Sequence, residues 1–420
     1  MRHSAFPDGA TRADLLAWFR AGRARSKQVL AIPVEDAYYE RPIALRNPIV
    51  FYEGHLPAFN VNTLIKLALR EPGIDEHYET LFARGIDPED EVSAKSPTDL
   101  WPTRHCVQKY GAQSDEMVER ALASATIEDD SVPQLRNAEA ALAILEHEEM
   151  HQETFLYMMH NLPYERKVAP KIDRRIAGAT QKQELIAIAA GIATLGNTGT
   201  FGWDNEFPPH RVDVPAFSIH KHNVTNGEYL EFVEATGAAA PHFWVQQDGR
   251  WFWRGMFELI PLPLDWPVYA MQDEATAYAK WKGMRVPTEA EYHRAAFGTQ
   301  DGTERSYPWG EALPDATRGN FDFSHWDPVP VGSYPGGASA WGVQDLVGNG
   351  WEWTSTEFSG FDGFEPMASY PVYSSDFFDR KHYVMKGASP ATARHLVRRS
   401  FRNWFRGNYP YVFATFRCAR

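Results

Sequence analysis

A chain of 420 residues with 44% hydrophobic and 14% aromatic content is long enough for two ordinary domains and their cores, so wholesale disorder is excluded. Its formal net charge of -13 repels nucleic acid and anionic membrane surfaces alike, which leaves small molecules as the expected partners. Two cysteines, Cys106 and Cys418, make no disulfide framework and fit a reducing compartment.

The stretch from Met1 to Arg25 lacks the apolar core of a signal peptide, and no later run approaches the roughly 20 apolar residues of a membrane span. The chain therefore reads as soluble and cytoplasmic. Helical periodicity follows in four blocks, Arg12 to Gln28, Ile49 to Leu69, Asp115 to Ala125 and Leu135 to Asn161, and four such helices suggest a bundle. In the last block Ala140, Ile144, His147 and His151 share one face while Leu142, Leu145, Glu149 and Gln152 lie roughly opposite. A helix with apolar residues on more than one side belongs inside a bundle.

Residues 167–183 turn basic and polar without apolar spacing and read as a linker between a helical domain, 1–166, and a second domain, 184–420. There, short β-rich pieces such as Ile186 to Leu195 and His210 to Ile219 alternate with Gly, Pro, Asn and Asp clusters, and Gln272 to Lys282 is helical. The fold class is α+β, with no internal repeat.

The segment His147-Glu148-Glu149-Met150-His151 sets two imidazoles four residues apart, on one side of a helix, where both can grip one ion. This is also the H-E-x-x-H pattern of zinc proteases, and the bland alternative is two histidines packed within a bundle. Two imidazoles are too few for a catalytic metal, and His55, preceded by Gly54 in another predicted helix, is the candidate third ligand. Glu153 could orient a ligand imidazole. Three neutral histidines leave open positions that suit zinc activating water or ferrous iron binding substrate and O2.

Nearly the whole chain resembles the ergothioneine-type sulfoxide synthases, a family that includes the selenoneine synthases. The N-terminal part looks like a DinB-type four-helix bundle through His147-x3-His151-x-Glu153 and an upstream His. The C-terminal part is similar to the formylglycine-generating-enzyme domain, a C-type-lectin-like fold, through Val286-Pro287-Thr288-Glu289-Ala290-Glu291-Tyr292, Tyr307-Pro308-Trp309-Gly310 and Gly348-Asn349-Gly350-Trp351-Glu352-Trp353. The resemblance implies Fe(II) on His55, His147 and His151, O2 as co-substrate, and hercynine, the betaine of histidine, as acceptor of sulfur or selenium at its imidazole C2 carbon. It also implies that Tyr370 manages a proton and that Tyr373 helps hold the imidazole. Asn403 and Trp404 would meet the carboxylate and trimethylammonium ends, within an aromatic surround that includes Trp351, Trp353 and Tyr373. A structural Ca(II) in the C-terminal domain is a further expectation, although no ligand spacing singles out its site.

The sequence departs from the branch that uses γ-glutamylcysteine. Phe405 and Tyr409 stand where that branch has an Asp and an Arg for the donor, and Met150 stands where it has a substrate-contacting Gln. Losing both charged partners disfavours γ-glutamylcysteine. Free cysteine and a selenosugar stay open, and the aromatic replacements favour the selenosugar, whose C–H face can stack on them. An alternative of another class is a zinc hydrolase with Glu148 as general base.

Overall fold

The computed structural model describes residues 11–83, 101–170, 176 and 181–420. The chain divides into two compact units, one of residues 1–171 with 199–201 and 367–371, the other of residues 172–198, 202–366 and 372–420.

The first unit is helical: α1 (Arg12–Val29), α2 (Ile49–Asn60), α3 (Glu76–Leu81), α4 (Arg104–Ser124) and α5 (Glu139–His160). Thr11 starts α1 through a capping box, its hydroxyl accepting from Asp14 N while the Asp14 carboxylate accepts from Thr11 N at 2.7 Å. The α1 positions Leu15, Phe19, Gly22, Ser26 and Val29 turn inward at helical spacing. Helices α1 and α2 each pack on α4 and α5. Helix α5 is buried on nearly all sides, as its apolar distribution predicts. Residues Val61–Ala68, directly after α2, wind as a π-helix, with Leu69 N donating to Leu64 O. Lys167 and Val168 pair with the Ile32–Val34 segment. Most of the rest of the predicted 167–183 linker, residues 171–175 and 177–180, lies outside the described residues.

The second unit is α+β. It holds the antiparallel pairs β1 (Leu185–Ile188) with β4 (Phe217–His220) and β2 (Gly191–Leu195) with β3 (His210–Val214). Helix α6 (Asn226–Thr236) precedes a three-stranded meander of β5 (Trp244–Gln247), β6 (Arg250–Arg254) and β7 (Leu259–Pro261). After α7 (Gln272–Trp281) and α8 (Glu289–Phe297) comes the main sheet, formed by β8 (Gly350–Glu357), β9 (His382–Ala388), β10 (Asn403–Arg406) and β11 (Ala414–Thr415) in the order β10-β9-β8-β11.

Two of the sequence motifs are structural devices. Within Val286 to Tyr292, Thr288 and Glu291 form the capping box of α8, and the Tyr292 hydroxyl donates to Leu346 O. In Gly348 to Trp353, Asn349 sits at φ 66° and its amide bridges Val329 N and O at 2.8 Å each. Gly348, at φ 91°, lies so close to Asn320 that a Cβ would come within 2.7 Å of that residue's backbone N and O. Glu352 is buried in a bidentate pair with Arg417, at 2.6 and 2.7 Å. Among the described residues no helix is long and apolar enough to cross a membrane.

Candidate functional site

In the helical unit, the inward faces of α2 and α5 bring His55, His147 and His151 together. Their ligand nitrogens all lie within 4.8 Å of one another, and they are the one group of three or more His, Cys, Asp or Glu side chains among the described residues close enough to share an ion. Ring centroids stand 4.4 Å apart for the pair four residues apart on α5, and 5.1 and 5.0 Å from His55 to His147 and His151. Phe59 lies flat on His147 at 3.5 Å and Phe51 on His55 at 5.2 Å, so apolar rings wall the cluster.

Those walls set the charge state. Burial, reinforced by His151 and His55, pushes the pKa of His147 well below its ordinary value, and burial with His55 and Arg46 does the same to His151. Both imidazoles are therefore neutral at pH 7 and keep a lone pair for a metal. Their Nδ1 atoms are buried and find no hydrogen-bond partner among the described residues. His55 instead bonds through Nδ1 to the carbonyl of Phe82 at 2.8 Å. A carbonyl only accepts, so Nδ1 carries the proton and Nε2 is the nitrogen left to ligate a metal. Three convergent imidazoles fit a divalent transition metal.

Two acids of α5, Glu148 and Glu149, face elsewhere. Glu148 accepts from Arg23 Nη1 at 2.8 Å and from Ser26 Oγ at 2.5 Å, both on α1, and Glu149 accepts from Trp18 Nε1 at 2.8 Å. Glu148 is thus committed to a buried ion pair, which argues against the general-base role that the H-E-x-x-H pattern suggests. Met150 is half-buried, one residue before His151.

Tyr370, far along the chain, belongs to the helical unit. Its ring stands 5.2 Å from Phe59 and 6.3 Å from His147, and the segment carrying it is tied down by Ser369 N donating to Glu139 Oε1 at 2.7 Å. Tyr373 lies in the second unit, stacked on Trp203 at 4.1 Å and edge-on to Trp404 at 5.1 Å.

In that second unit, strand β10 presents Trp404 to Phe358, parallel at 4.2 Å, and to Phe377 at 5.6 Å, while Asn403 Oδ1 accepts from the Trp404 amide at 2.9 Å. Phe405 stacks on Tyr409 at 5.2 Å, and Tyr411 meets Tyr409 edge-on at 5.1 Å. The expectation that Trp351 and Trp353 help form the aromatic surround needs correction. Both are almost wholly buried in β8, Trp351 against Phe401 and Trp353 donating its indole N–H to Ala270 O at 2.8 Å, because that strand is covered on both faces. The predicted calcium finds no comparable cluster of ligating side chains among the described residues.

Sequence reasoning missed Phe82, Phe59 and Phe358. Phe82 acts through its backbone, which leaves no signal. Phe59 stands four residues after His55, so helical spacing alone could have placed it beside the cluster.

The segment 173–420 matches the family model described as a sulfatase-modifying factor enzyme 1-like domain. The chain is 30% identical over 433 residues to the hercynine oxygenase of Mycolicibacterium thermoresistibile, covering 94% of this chain and 92% of that protein. It is 29% identical over 493 residues to ergothioneine biosynthesis protein 1 of Neurospora crassa, covering 92% of this chain and 55% of the relative. With the hercynine oxygenase of Mycobacterium tuberculosis it shares 38% over 238 residues, 51% of this chain and 55% of that one. The chain thus spans about half the length of some curated relatives and nearly all of another.

Proposed function

The chain belongs to the family of the hercynine oxygenases, with its sulfatase-modifying-factor-like domain at residues 173–420, and from that premise we propose that it is an Fe(II)- and O2-dependent enzyme forming a carbon–chalcogen bond at the imidazole C2 of hercynine. The observation that carries the reading is the convergence of His55, His147 and His151, walled by Phe51 and Phe59 and neighboured by Tyr370. Iron held by these imidazoles would supply open coordination positions and the redox capacity to activate O2.

The chain's own groups do the rest. Phe51 and Phe59 cover the rings of His55 and His147, and His55 is held in one tautomer by Phe82 O. The Tyr370 phenol is the candidate proton donor. Trp404, backed on one face by Phe358, would with Tyr373 offer aromatic faces to the trimethylammonium, and Asn403 an amide to the carboxylate.

A thiol donor, cysteine or γ-glutamylcysteine, is supported by the name of the Neurospora crassa relative, which places that protein in ergothioneine biosynthesis. Hercynine C–H, donor S–H and O2 would give the C–S sulfoxide and water. A second reading, a selenosugar donor, is favoured by the stacked Phe405 and Tyr409 pair, whose outer faces suit an uncharged ring better than a charged amino acid. Parallel single-turnover reactions of the Fe(II) protein with hercynine, O2 and cysteine, γ-glutamylcysteine or 1-selenoglucose, read by mass spectrometry, separate these. A sulfoxide adduct from a thiol supports the first reading, a selenium-bearing product from the sugar alone supports the second, and no adduct from any donor sinks both.

A further inference from the structure

Gly54 is an anomaly in its own helix. It sits in the interior of α2, where glycine costs about 1 kcal/mol relative to alanine. Its φ is not positive, so the backbone does not demand it. The neighbour does: a Cβ at position 54 would fall 2.5 Å from ring carbons of Phe82. That ring is fully buried and hemmed in by Tyr78 at 5.8 Å, Trp101 at 6.2 Å and Phe51 at 6.4 Å, so it has no room to retreat.

Phe82 ends α3, and its carbonyl is one of those that a helix terminus leaves without an intrahelical donor. His55 Nδ1 takes it, at 2.8 Å. Helix α3 is itself pinned. Glu79, 2% exposed, accepts from Ile74 N and Asp75 N and pairs with Lys66 at 2.8 Å, while its carbonyl accepts from Asn62 Nδ2 at 3.0 Å. Lys66 and Asn62 belong to the π-helical turn that continues α2.

We propose that Gly54 and Phe82 form a positioning pair for the His55 ligand: the missing side chain at 54 lets Phe82 close on α2, and the Phe82 carbonyl then fixes His55 as the Nδ1–H tautomer with Nε2 facing the metal. Neither residue touches the reacting atoms. The inference rests on the three histidines being metal ligands. If the wild-type protein binds no metal, that reading fails; if it binds metal and the variants below bind equally well, only the positioning pair fails.

The test is anaerobic titration of the full chain with Fe(II), and with Co(II) for its ligand-field spectrum, in wild type, Gly54→Ala and Gly54→Ala/Phe82→Leu. Loss of an orienting contact weakens metal binding by about 10- to 100-fold, which is the expectation for Gly54→Ala. Alanine is the better helix former, so a weakened α2 cannot explain such a loss. Trimming Phe82 to leucine relieves the clash while retaining the carbonyl, and the double variant should recover a large part of the affinity. Wild-type affinity in Gly54→Ala overturns the proposal, as does a double variant no better than the single one. Should Gly54→Ala fail to fold, nitrogen NMR of the metal-free wild type with labelled histidine decides: an Nδ1–H tautomer at His55 supports the pair, and an Nε2–H tautomer overturns it.

Discussion

Arg402→Met should destabilise the second unit far more than any surface change, because Arg402 is 2% exposed and its ion pair with Glu289 is buried. It donates to Glu289 at 3.0 and 3.2 Å and to the carbonyls of Asn205 and Ser359 at 3.0 and 2.9 Å, and it lies over the Phe361 ring at 4.2 Å. Burial pushes the Glu289 carboxyl up, but Arg402 first and Lys386 second outweigh it and hold the group below its ordinary value. Removing one partner of a buried pair costs about 3–5 kcal/mol. The lower end is expected here, because Lys386, 3.8 Å from Glu289 with its pKa pushed down to about 8 chiefly by burial, gains proton affinity once Arg402 is gone. For a domain of this size about 3 kcal/mol corresponds to a fall in Tm of roughly 6–12 °C, read by calorimetry at pH 7. Adding Glu289→Gln removes the stranded charge and should recover part of the loss. A fall of less than about 2 °C in Arg402→Met would refute the reasoning.

Other outcomes follow from the same geometry. Glu148→Gln should lower stability by about 1–3 kcal/mol through its broken pair with Arg23 while leaving metal affinity near wild type; loss of turnover at unchanged stability would instead favour the hydrolase reading. Tyr370→Phe should lower kcat by about 10²- to 10⁴-fold with little change in Fe(II) affinity, and an unaltered kcat removes the phenol from the mechanism. His220 and His242 have pKa values pushed down to about 4, mainly by burial, from 6.5. Below pH 6.5 the unfolded chain binds protons that the folded one refuses, so stability falls as pH drops from about 6.5 to about 4, by at most about 3 kcal/mol for each histidine. Urea unfolding at pH 7 and 4.5 measures this, and His220→Gln should flatten the difference; equal stability at the two pH values contradicts it.

The histidine pair on α5 was legible because i, i+4 spacing is a helical property, whereas His55 needed tertiary structure or a resemblance to join it. The role of Glu148 was not legible: a residue one step from a ligand points about 100° away around the helix, and only the packing of α1 shows that Arg23 waits there. Helix α4 starts at Arg104, eleven residues before the predicted Asp115, since its inward face includes Gly111 and Ser114 and its outer face His105, Gln108 and Lys109, which dilute the apolar period. The run Ile186 to Leu195 is two strands broken after Ile188, and His210 to Ile219 is two strands parted at Pro215, whose missing N–H cannot continue a ladder. The tryptophans of Gly348 to Trp353 were the most conspicuous letters in the chain, yet they are core, while the aromatic cluster around Trp404 draws on Phe358, Tyr373 and Phe377, scattered in sequence.

The central claim is that the three histidines hold iron for oxygen chemistry on hercynine. Oxygen uptake by the anaerobically reconstituted Fe(II) protein, followed with hercynine and a chalcogen donor and repeated with Zn(II) and with His151→Ala, tests it most directly. Uptake should require both substrates and disappear with zinc and with the variant. Turnover that persists with Zn(II) in the absence of O2, or uptake indifferent to His151, would contradict it.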